Sequence, residues 1–365
     1  MTWTGIRTIM VLELRQRVRA TRWRVMLGIW VAVLILLCGG LAIAVETASP
    51  ENATNEYLLP LYDVVVCFVL GIGLIVAPTL SATSINGDRA DATLALLQAT
   101  ALRSQEIVVG KLLAAWVAAI AFLGVAVPFL VILTVAGGSH WQALVAHLVI
   151  LVFTLGAVCA IGLGFSSLTA RPSASAVLTY IVVAALTVGT PLATAIASSV
   201  VTGTQTEVTY HVDYDKSTDD KIVCQSEPEI ETHEVTRTDR IWWILTPNPF
   251  VALGDATAHA PLQPASAVFG APDSFLSLTG QGVDVMRNPQ PSRVVNNRCE
   301  DRDDSYDGPS SSSASSDDHG PVARHLAFWP ASLVALTALG AGGVITASRR
   351  LRVPAGRLPR GVRLA

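Results

Sequence analysis

The sequence predicts an all-α polytopic membrane protein with six transmembrane helices, an N-terminal interfacial helix, and a mixed, partly disordered extracytoplasmic insertion between helices five and six. Only 15% of its 365 residues are charged and 51% are hydrophobic, whereas soluble domains have about 25% charged residues. A helix needs about 20 apolar residues to cross a bilayer. Six uncharged runs reach that length: 25–45, 64–84, 112–135, 143–165, 176–198 and 326–347. They exclude a soluble enzyme, a nucleic-acid binder and a secreted disulfide-rich scaffold as descriptions of the whole chain.

The stretch before the first run predicts a helix that lies in the membrane interface. Its apolar side chains recur at helical spacing while arginines cover most of the remaining surface, and that stripe consists of Trp3, Ile6, Met10, Leu14 and Val18. Amphipathic helices of this kind lie flat at the membrane surface. The run at 25–45 that follows is longer than a signal-peptide core of about 7–15 residues. We therefore expect it to be retained as a span.

The distribution of arginines predicts that both termini are cytoplasmic. Lysine and arginine accumulate in the short cytoplasmic flanks of spans. Here the short flanks that carry them are residues 1–24, residues 349–365, and the loops after the second and fourth runs. The loop after the first run instead carries Glu46, Glu51 and Glu56 without a lysine or arginine.

The long segment between the fifth and sixth runs, residues 201–325, predicts an acidic domain outside the cell. Alternation of polar and β-favouring residues at 206–212 and 229–235 predicts a small sheet. The apolar segment 241–254 is too short to span, so we expect it to lie at the outer surface or to be re-entrant. Residues 301–320 are rich in serine and aspartate, which favours disorder.

Five cysteines divide between the apolar runs and the outer region. Cys224 and Cys299 lie in the outer region, whereas Cys38, Cys67 and Cys159 lie within runs. An oxidising compartment and an even count permit one disulfide. Cys224 and Cys299 are thus a possible bridge, with two free thiols as the alternative.

Motifs for catalysis and metal binding are incomplete in this chain. His233 and Glu234 begin an HExxH pattern, but Arg237 stands where the second zinc-binding histidine belongs. Gly110 and Lys111 resemble the end of a phosphate loop whose earlier glycine and final serine or threonine are missing. We predict no catalytic residue, no cofactor site and no metal site on this chain.

A lone histidine, His147, is the one ionisable residue inside the six runs, and we expect it to be an interface residue near a span end. Ion-coupled carriers place ionisable residues along their transport pathway. The sequence therefore predicts that the energy for any uphill transport comes from elsewhere.

The segment between the second and third runs, residues 86–111, predicts a helix that contacts a partner. Leu94, Leu97 and Ala101 follow i, i+3, i+7 spacing, and Asp88 precedes them. A helix that is half apolar and half charged beneath a membrane domain is typical of a docking surface. The alternative is a helical extension of the third span that only contacts solvent.

These residues make the chain resemble the type-2 ABC transporter permeases, the membrane subunits of many bacterial exporters. The family's loop between spans two and three reads approximately Glu-Arg, Gly-Thr-Leu, Leu-Leu, Pro-Leu, Glu-Ile and Gly-Lys. The corresponding positions are Asp88-Arg89, Ala92-Thr93-Leu94, Leu96-Leu97, Ala101-Leu102, Glu106-Ile107 and Gly110-Lys111. Asp88, Ala92 and Ala101 depart from the pattern. The resemblance covers about two-thirds of the chain and leaves out the outer region.

The resemblance implies a permease subunit of an ATP-driven exporter in the bacterial plasma membrane. Two permease subunits would enclose the path, with membrane lipid around them, and ATP and Mg would bind a separate ATP-binding subunit. The residues that would contact that subunit are Asp88, Arg89, Thr93, Leu94 and Leu97. Uncharged spans favour an apolar or amphipathic cargo. The large outer domain keeps open an alternative, a non-transporting membrane anchor or sensor.

The predicted organisation has five parts in chain order. They are an interfacial helix at 1–24, helices one to five at 25–200 with the coupling segment at 86–111, the extracytoplasmic acidic domain at 201–325, helix six at 326–348, and a basic cytoplasmic tail at 349–365.

Overall fold

The computed structural model of the chain describes residues 2–48, 58–90, 103–136, 141–213, 216–217, 223–259, 274–297 and 325–351. The chain divides into two compact units. The first, here called the helical unit, comprises Met1–Thr190, Thr246–Gln281 and Ala327–Ala365. The second, the sheet unit, comprises Pro191–Leu245 and Gly282–Leu326.

Helices account for most of the described residues. In chain order they are α1 (Trp3–Arg19), α2 (Thr21–Ala48), α3 (Leu58–Ser81), α4 (Ser84–Ala90), α5 (Ser104–Ala136), α6 (Trp141–Leu168), α7 (Pro172–Ala184), a π-helical turn (Ala185–Gly189), α8 (Thr190–Val200), two 3₁₀ turns (Thr238–Arg240 and Trp242–Leu245), α9 (Pro249–Ala258), α10 (Phe275–Arg287) and α11 (Trp329–Arg350).

Within the described residues, six helical segments are long and apolar enough to cross a membrane. They are Trp23–Ala44, Pro60–Arg89, Ser104–Ala136, Trp141–Leu168, Pro172–Val200 and Trp329–Arg350. Each overlaps one of the six apolar runs, so the predicted six-span, mainly helical fold is confirmed.

Helix α6 lies at the centre of the helical unit, against α3, α5, α7, α9 and α11. Its contact with α11 is close because glycines face each other there. A Cβ added at Gly164 would lie 2.8 Å from Gly343 Cα, and one added at Gly343 would lie 2.4 Å from the Ala160 carbonyl oxygen. Small residues of this kind let the backbones of two membrane helices approach each other closely.

The segment 241–254, which was expected to lie at the outer surface or to be re-entrant, divides between the two units. Trp242–Leu245 is a 3₁₀ turn of the sheet unit, whereas α9 begins at Pro249 in the helical unit. Helix α9 continues to Ala258, and its residues Val251 to Ala256 are buried against the spans. The composition of the segment could not show that its two halves belong to different units.

The sheet unit contains a three-stranded sheet in the order β2-β1-β3, with β1 (Thr202–Tyr210), β2 (Glu229–Thr236) and β3 (Arg293–Asn297). β1 pairs antiparallel with β2 and parallel with β3. The predicted pairing of the first two strands is present, although β1 begins four residues earlier than the pattern indicated. Residues 301–320 lie outside the described residues.

The described thiols follow the predicted division. Cys38, Cys67 and Cys159 are free, and Cys224 is disulfide-bonded. Cys299 lies outside the described residues, so the Cys224–Cys299 pairing stays a prediction.

Candidate functional site

The predicted coupling segment starts in α4, and a buried serine of α6 fixes that helix. Ser166 Oγ accepts hydrogen bonds from the backbone N–H groups of Ile85 (3.0 Å) and Asn86 (3.2 Å), which are free at the start of the helix. It also donates to Asn86 Oδ1 at 3.1 Å. Asn86 Nδ2 donates to Ser175 Oγ of α7 at 2.8 Å. The beginning of the segment is therefore held by two spans.

Lys111 in α5, near the end of the segment, carries a charge that is almost completely buried. Its side chain is 1% exposed and its Nζ lies 2.6 Å from Asp88 Oδ2. The same Nζ also forms an ion pair with Glu13 Oε1 of α1. The two carboxylates are 25% and 16% exposed. A buried ammonium is stable only when it is paired in this way, so Lys111 ties α1 to both ends of the segment.

Glu106 makes a second tie between α1 and the end of the segment. Its Oε1 accepts hydrogen bonds from the backbone N–H (2.6 Å) and hydroxyl (3.0 Å) of Thr2, just ahead of α1. Its Oε2 accepts from the backbone N–H of Arg103 at 3.1 Å, ahead of α5. One carboxylate thus satisfies free donors at the start of two helices.

Close packing completes the attachment of α1. Ile6 and Ile9 are buried against α5, and a Cβ added at Gly110 would lie 2.8 Å from Ile9 Cβ. Gly110 therefore permits the short distance that brings Lys111 and Glu106 to α1. Of the predicted apolar stripe of α1, Ile6 is buried on α5, whereas Trp3 and Val18 are exposed.

A basic residue of α1 caps the second span. Arg17 Nη2 donates to the Leu80 carbonyl oxygen at 2.8 Å, close to where α3 ends. Cations at a helix C-terminus satisfy free carbonyl groups and oppose the helix dipole. Burial lowers the pKa of the Arg17 guanidinium, and the nearby Glu13 carboxylate opposes that shift.

Two of the five predicted partner-contact residues are described. Asp88 pairs with Lys111, so its carboxylate is occupied within the chain. Arg89 is partly exposed at the end of α4. Thr93, Leu94 and Leu97 lie outside the described residues, so their role stays a prediction. The sequence did not single out Glu13, although it is the one acidic residue among the first 24.

The other end of the helical unit holds a second group of buried polar residues. His147 is fully buried, with Nδ1 2.8 Å from the Tyr62 hydroxyl and Nε2 3.0 Å from Thr257 Oγ1 and 3.2 Å from the Leu253 carbonyl oxygen. The expectation of an interface histidine is therefore wrong. Because its partners are 85 to 110 residues away, no local pattern could reveal that His147 joins α3, α6 and α9.

Asp63, just before the apolar run of the second span, attaches the short helix α10 to that span. Its Oδ2 accepts from the Leu276 backbone N–H at 2.8 Å and from the Ser274 hydroxyl. Asp255 of α9 similarly accepts from the backbone N–H groups of Phe328 (2.7 Å) and Trp329 (2.8 Å) at the start of α11. Carboxylates at helix starts satisfy donors that have no partner in the helix.

The π-helical turn in the fifth span also forms a hydrogen bond with the start of another helix. Asn248 caps α9 by accepting from Phe250 N at 2.9 Å, and its Nδ2 donates to the Thr187 carbonyl oxygen at 3.0 Å and to Thr190 Oγ1 at 2.9 Å. A π-turn interrupts the regular hydrogen-bond ladder and is frequent at functional sites. Here a carbonyl within that turn bonds α9.

Among the described residues, no group of three or more His, Cys, Asp or Glu could hold a metal ion. The end of the helical unit that carries α1 and the end of α11 is here called the arginine-rich end. Its polar contacts centre on Lys111 and Glu106, and this set of contacts is here called the α1 anchor. The α1 anchor can transmit a mechanical force, because a displacement of either end of the segment must move α1 or break buried ion pairs.

Comparison with protein families identifies a match over residues 7–219, to the family described as ABC-2 family transporter protein. That range covers more than half of the chain and contains most of α1, the first five spans and the whole coupling segment. No curated protein matches the chain.

Proposed function

Because the chain belongs to the ABC-2 transporter family and is thus a membrane permease component of an ABC transporter, we propose that it is one permease subunit of an ATP-driven exporter. A separate ATP-binding subunit docks on the coupling segment 86–111. ATP and Mg bind that partner, since this chain has no phosphate loop of its own. Membership in a transporter family favours this reading over the membrane anchor or sensor.

The observation that carries the proposal is the buried Lys111 with its two carboxylate partners. A docking segment can transmit force only if its ends are attached firmly to the moving parts. Ser166 and Lys111 attach the start of the segment, and Glu106 and Lys111 attach its end. A partner that pushes on the middle of the segment would therefore move α1, α3 and α5 together.

The remaining parts of the proposal concern assembly and orientation. Two copies of the chain, or this chain and a related one, enclose the path. The arginine-rich flanks support a topology in which both termini lie on the cytoplasmic side of a bacterial plasma membrane. Under that orientation the part of the sheet unit that follows the fifth span lies outside, where the disulfide at Cys224 is chemically stable.

The experiment is a pull-down of the ATP-binding subunit with variants of the coupling segment. Leu94→Glu and Leu97→Glu place a charge on the predicted apolar stripe, so we expect each to abolish association. Leu96→Glu introduces the same charge two residues from Leu94, on the opposite side of the predicted helix, and serves as the matched control. Membrane insertion of all three variants should be unchanged.

Two results would contradict the proposal. Association that survives both stripe variants would exclude the segment as the docking site. Recovery of a signalling protein in place of a subunit with a phosphate loop would favour the sensor alternative.

A further inference from the structure

A groove of about 240 Å³ opens between three spans near the arginine-rich end of the helical unit. Its walls are apolar apart from one hydroxyl, and the residues that shape it include Gly164, Phe165, Leu168, Val182, Gly342 and Thr346. Gly342 leaves open space in the groove, because nothing lies within 4 Å of a Cβ added there. The groove therefore fits a narrow apolar chain.

Cationic side chains stand where the groove ends. Arg350 follows Thr346 by one helical turn, so both lie on the same side of α11. Arg171 follows the groove residue Leu168 by three residues and precedes α7. Arg171, Arg349 and Arg350 are exposed and form no ion pair with any residue in the described ranges. Ala347, near the same end of α11, belongs to the buried cluster that also contains Ile9 of α1, so the arginines lie near the interfacial helix.

We propose that this groove binds an anionic glycerophospholipid, with one acyl chain between α6, α7 and α11 and the phosphate beside Arg171 and Arg350. Basic residues between spans on the cytoplasmic side are suited to anionic headgroups, and each basic residue near the surface contributes about 1 kcal/mol, or roughly a fivefold affinity. An apolar chain with a negatively charged end is the ligand that matches both parts.

A second copy of the chain fits the groove less well. A symmetric contact would apply the same patch of both copies to each other. It would bring the three arginines of one copy towards the three of the other, where like charges repel. A phospholipid instead supplies the opposite charge.

The test uses the full chain purified in mild detergent, with phosphatidylglycerol and phosphatidylcholine as probes. Native mass spectrometry should show phosphatidylglycerol retained in preference to phosphatidylcholine. Gly342→Leu should lose it, because the new side chain enters open groove space. Ala341→Leu adds the same side chain to an exposed neighbour outside the groove and should retain it.

Two surface variants test the headgroup contact without altering the packing of the spans. Arg171→Ala and Arg350→Ala should each weaken phosphatidylglycerol binding roughly fivefold while leaving phosphatidylcholine binding unchanged. If Gly342→Leu does not fold, these two arginine variants still test the proposal.

Three outcomes would overturn the proposal. Equal retention of both lipids by the unaltered chain would mean that lipids only surround the spans and that no site selects the anionic headgroup. Equal phosphatidylglycerol retention by Gly342→Leu and Ala341→Leu would exclude the groove. Dissociation of a dimer by Gly342→Leu would show that a second copy covers it.

Discussion

Replacing Lys111 with methionine should detach α1 from the rest of the helical unit. Methionine keeps much of the apolar stem of lysine but removes the charge. Glu13 and Asp88 would then be two neighbouring carboxylates without their common cation.

The magnitude follows from the burial of the three groups. Removing one partner of a buried ion pair costs about 3–5 kcal/mol. Both carboxylates keep some contact with water, at 16% and 25% exposure, so we expect about 3 kcal/mol, the low end of that range. This corresponds to a roughly hundredfold shift of the docking equilibrium of α1.

Hydrogen exchange of the α1 backbone amides measures that equilibrium directly, because local opening sets the exchange rate of protected amides. We expect the amides of Ile6 and Ile9 to exchange roughly a hundredfold faster in Lys111→Met. A second change, Glu13→Gln, removes one of the stranded charges and should restore part of the protection.

The exposed arginine at the end of α11 provides the control. Arg349→Met removes a cation from the same end of the unit but breaks no ion pair among the described residues, so exchange should not change. If the α1 amides exchange as slowly in Lys111→Met as in the unaltered chain, the ion pairs do not hold α1 and the reasoning fails.

Two further predictions concern the start of the coupling segment and the topology. Ser166→Ala leaves two buried backbone N–H groups of α4 without an acceptor and should lower the free energy of unfolding by about 1–3 kcal/mol, measured by thermal or chemical unfolding. Among the described residues the Ser167 hydroxyl bonds only the Gly164 carbonyl of its own helix, so Ser167→Ala should be nearly neutral, and equal losses would contradict the assignment. A periplasmic-type reporter fused near Ser312 should be active, whereas activity of a cytoplasmic reporter there would reverse the topology.

Much of the membrane architecture could be predicted from composition. Long uncharged runs have no stable alternative to a bilayer or a large apolar core, so six spans follow from their lengths. The agreement of Asp88-Arg89 and Gly110-Lys111 with a family pattern led to the family that the comparison shows. The role of the coupling segment stays a prediction, and its central residues lie outside the described ranges.

The polar contacts of the helical unit were not predictable in the same way. His147 was expected to be an interface residue because its sequence neighbours say nothing about α3 and α9. The segment 241–254 looked like one apolar element because hydropathy does not record which unit a residue joins. Asp63 lies just before an apolar run. Its hydrogen-bond partners at the start of α10 are more than 200 residues away, so the sequence around Asp63 does not indicate them.

The sequence by itself determined the number and extent of the spans. The free-energy cost of placing a charge in a bilayer applies to each residue separately, so long uncharged runs mark the spans. Only the tertiary structure decided which charges and hydroxyls meet. Lys111 and Glu13 are 98 residues apart, and their ion pair exists because Gly110 and Ile9 let two helices approach closely. Such a contact depends on helix packing, which apolar patterning constrains but does not specify.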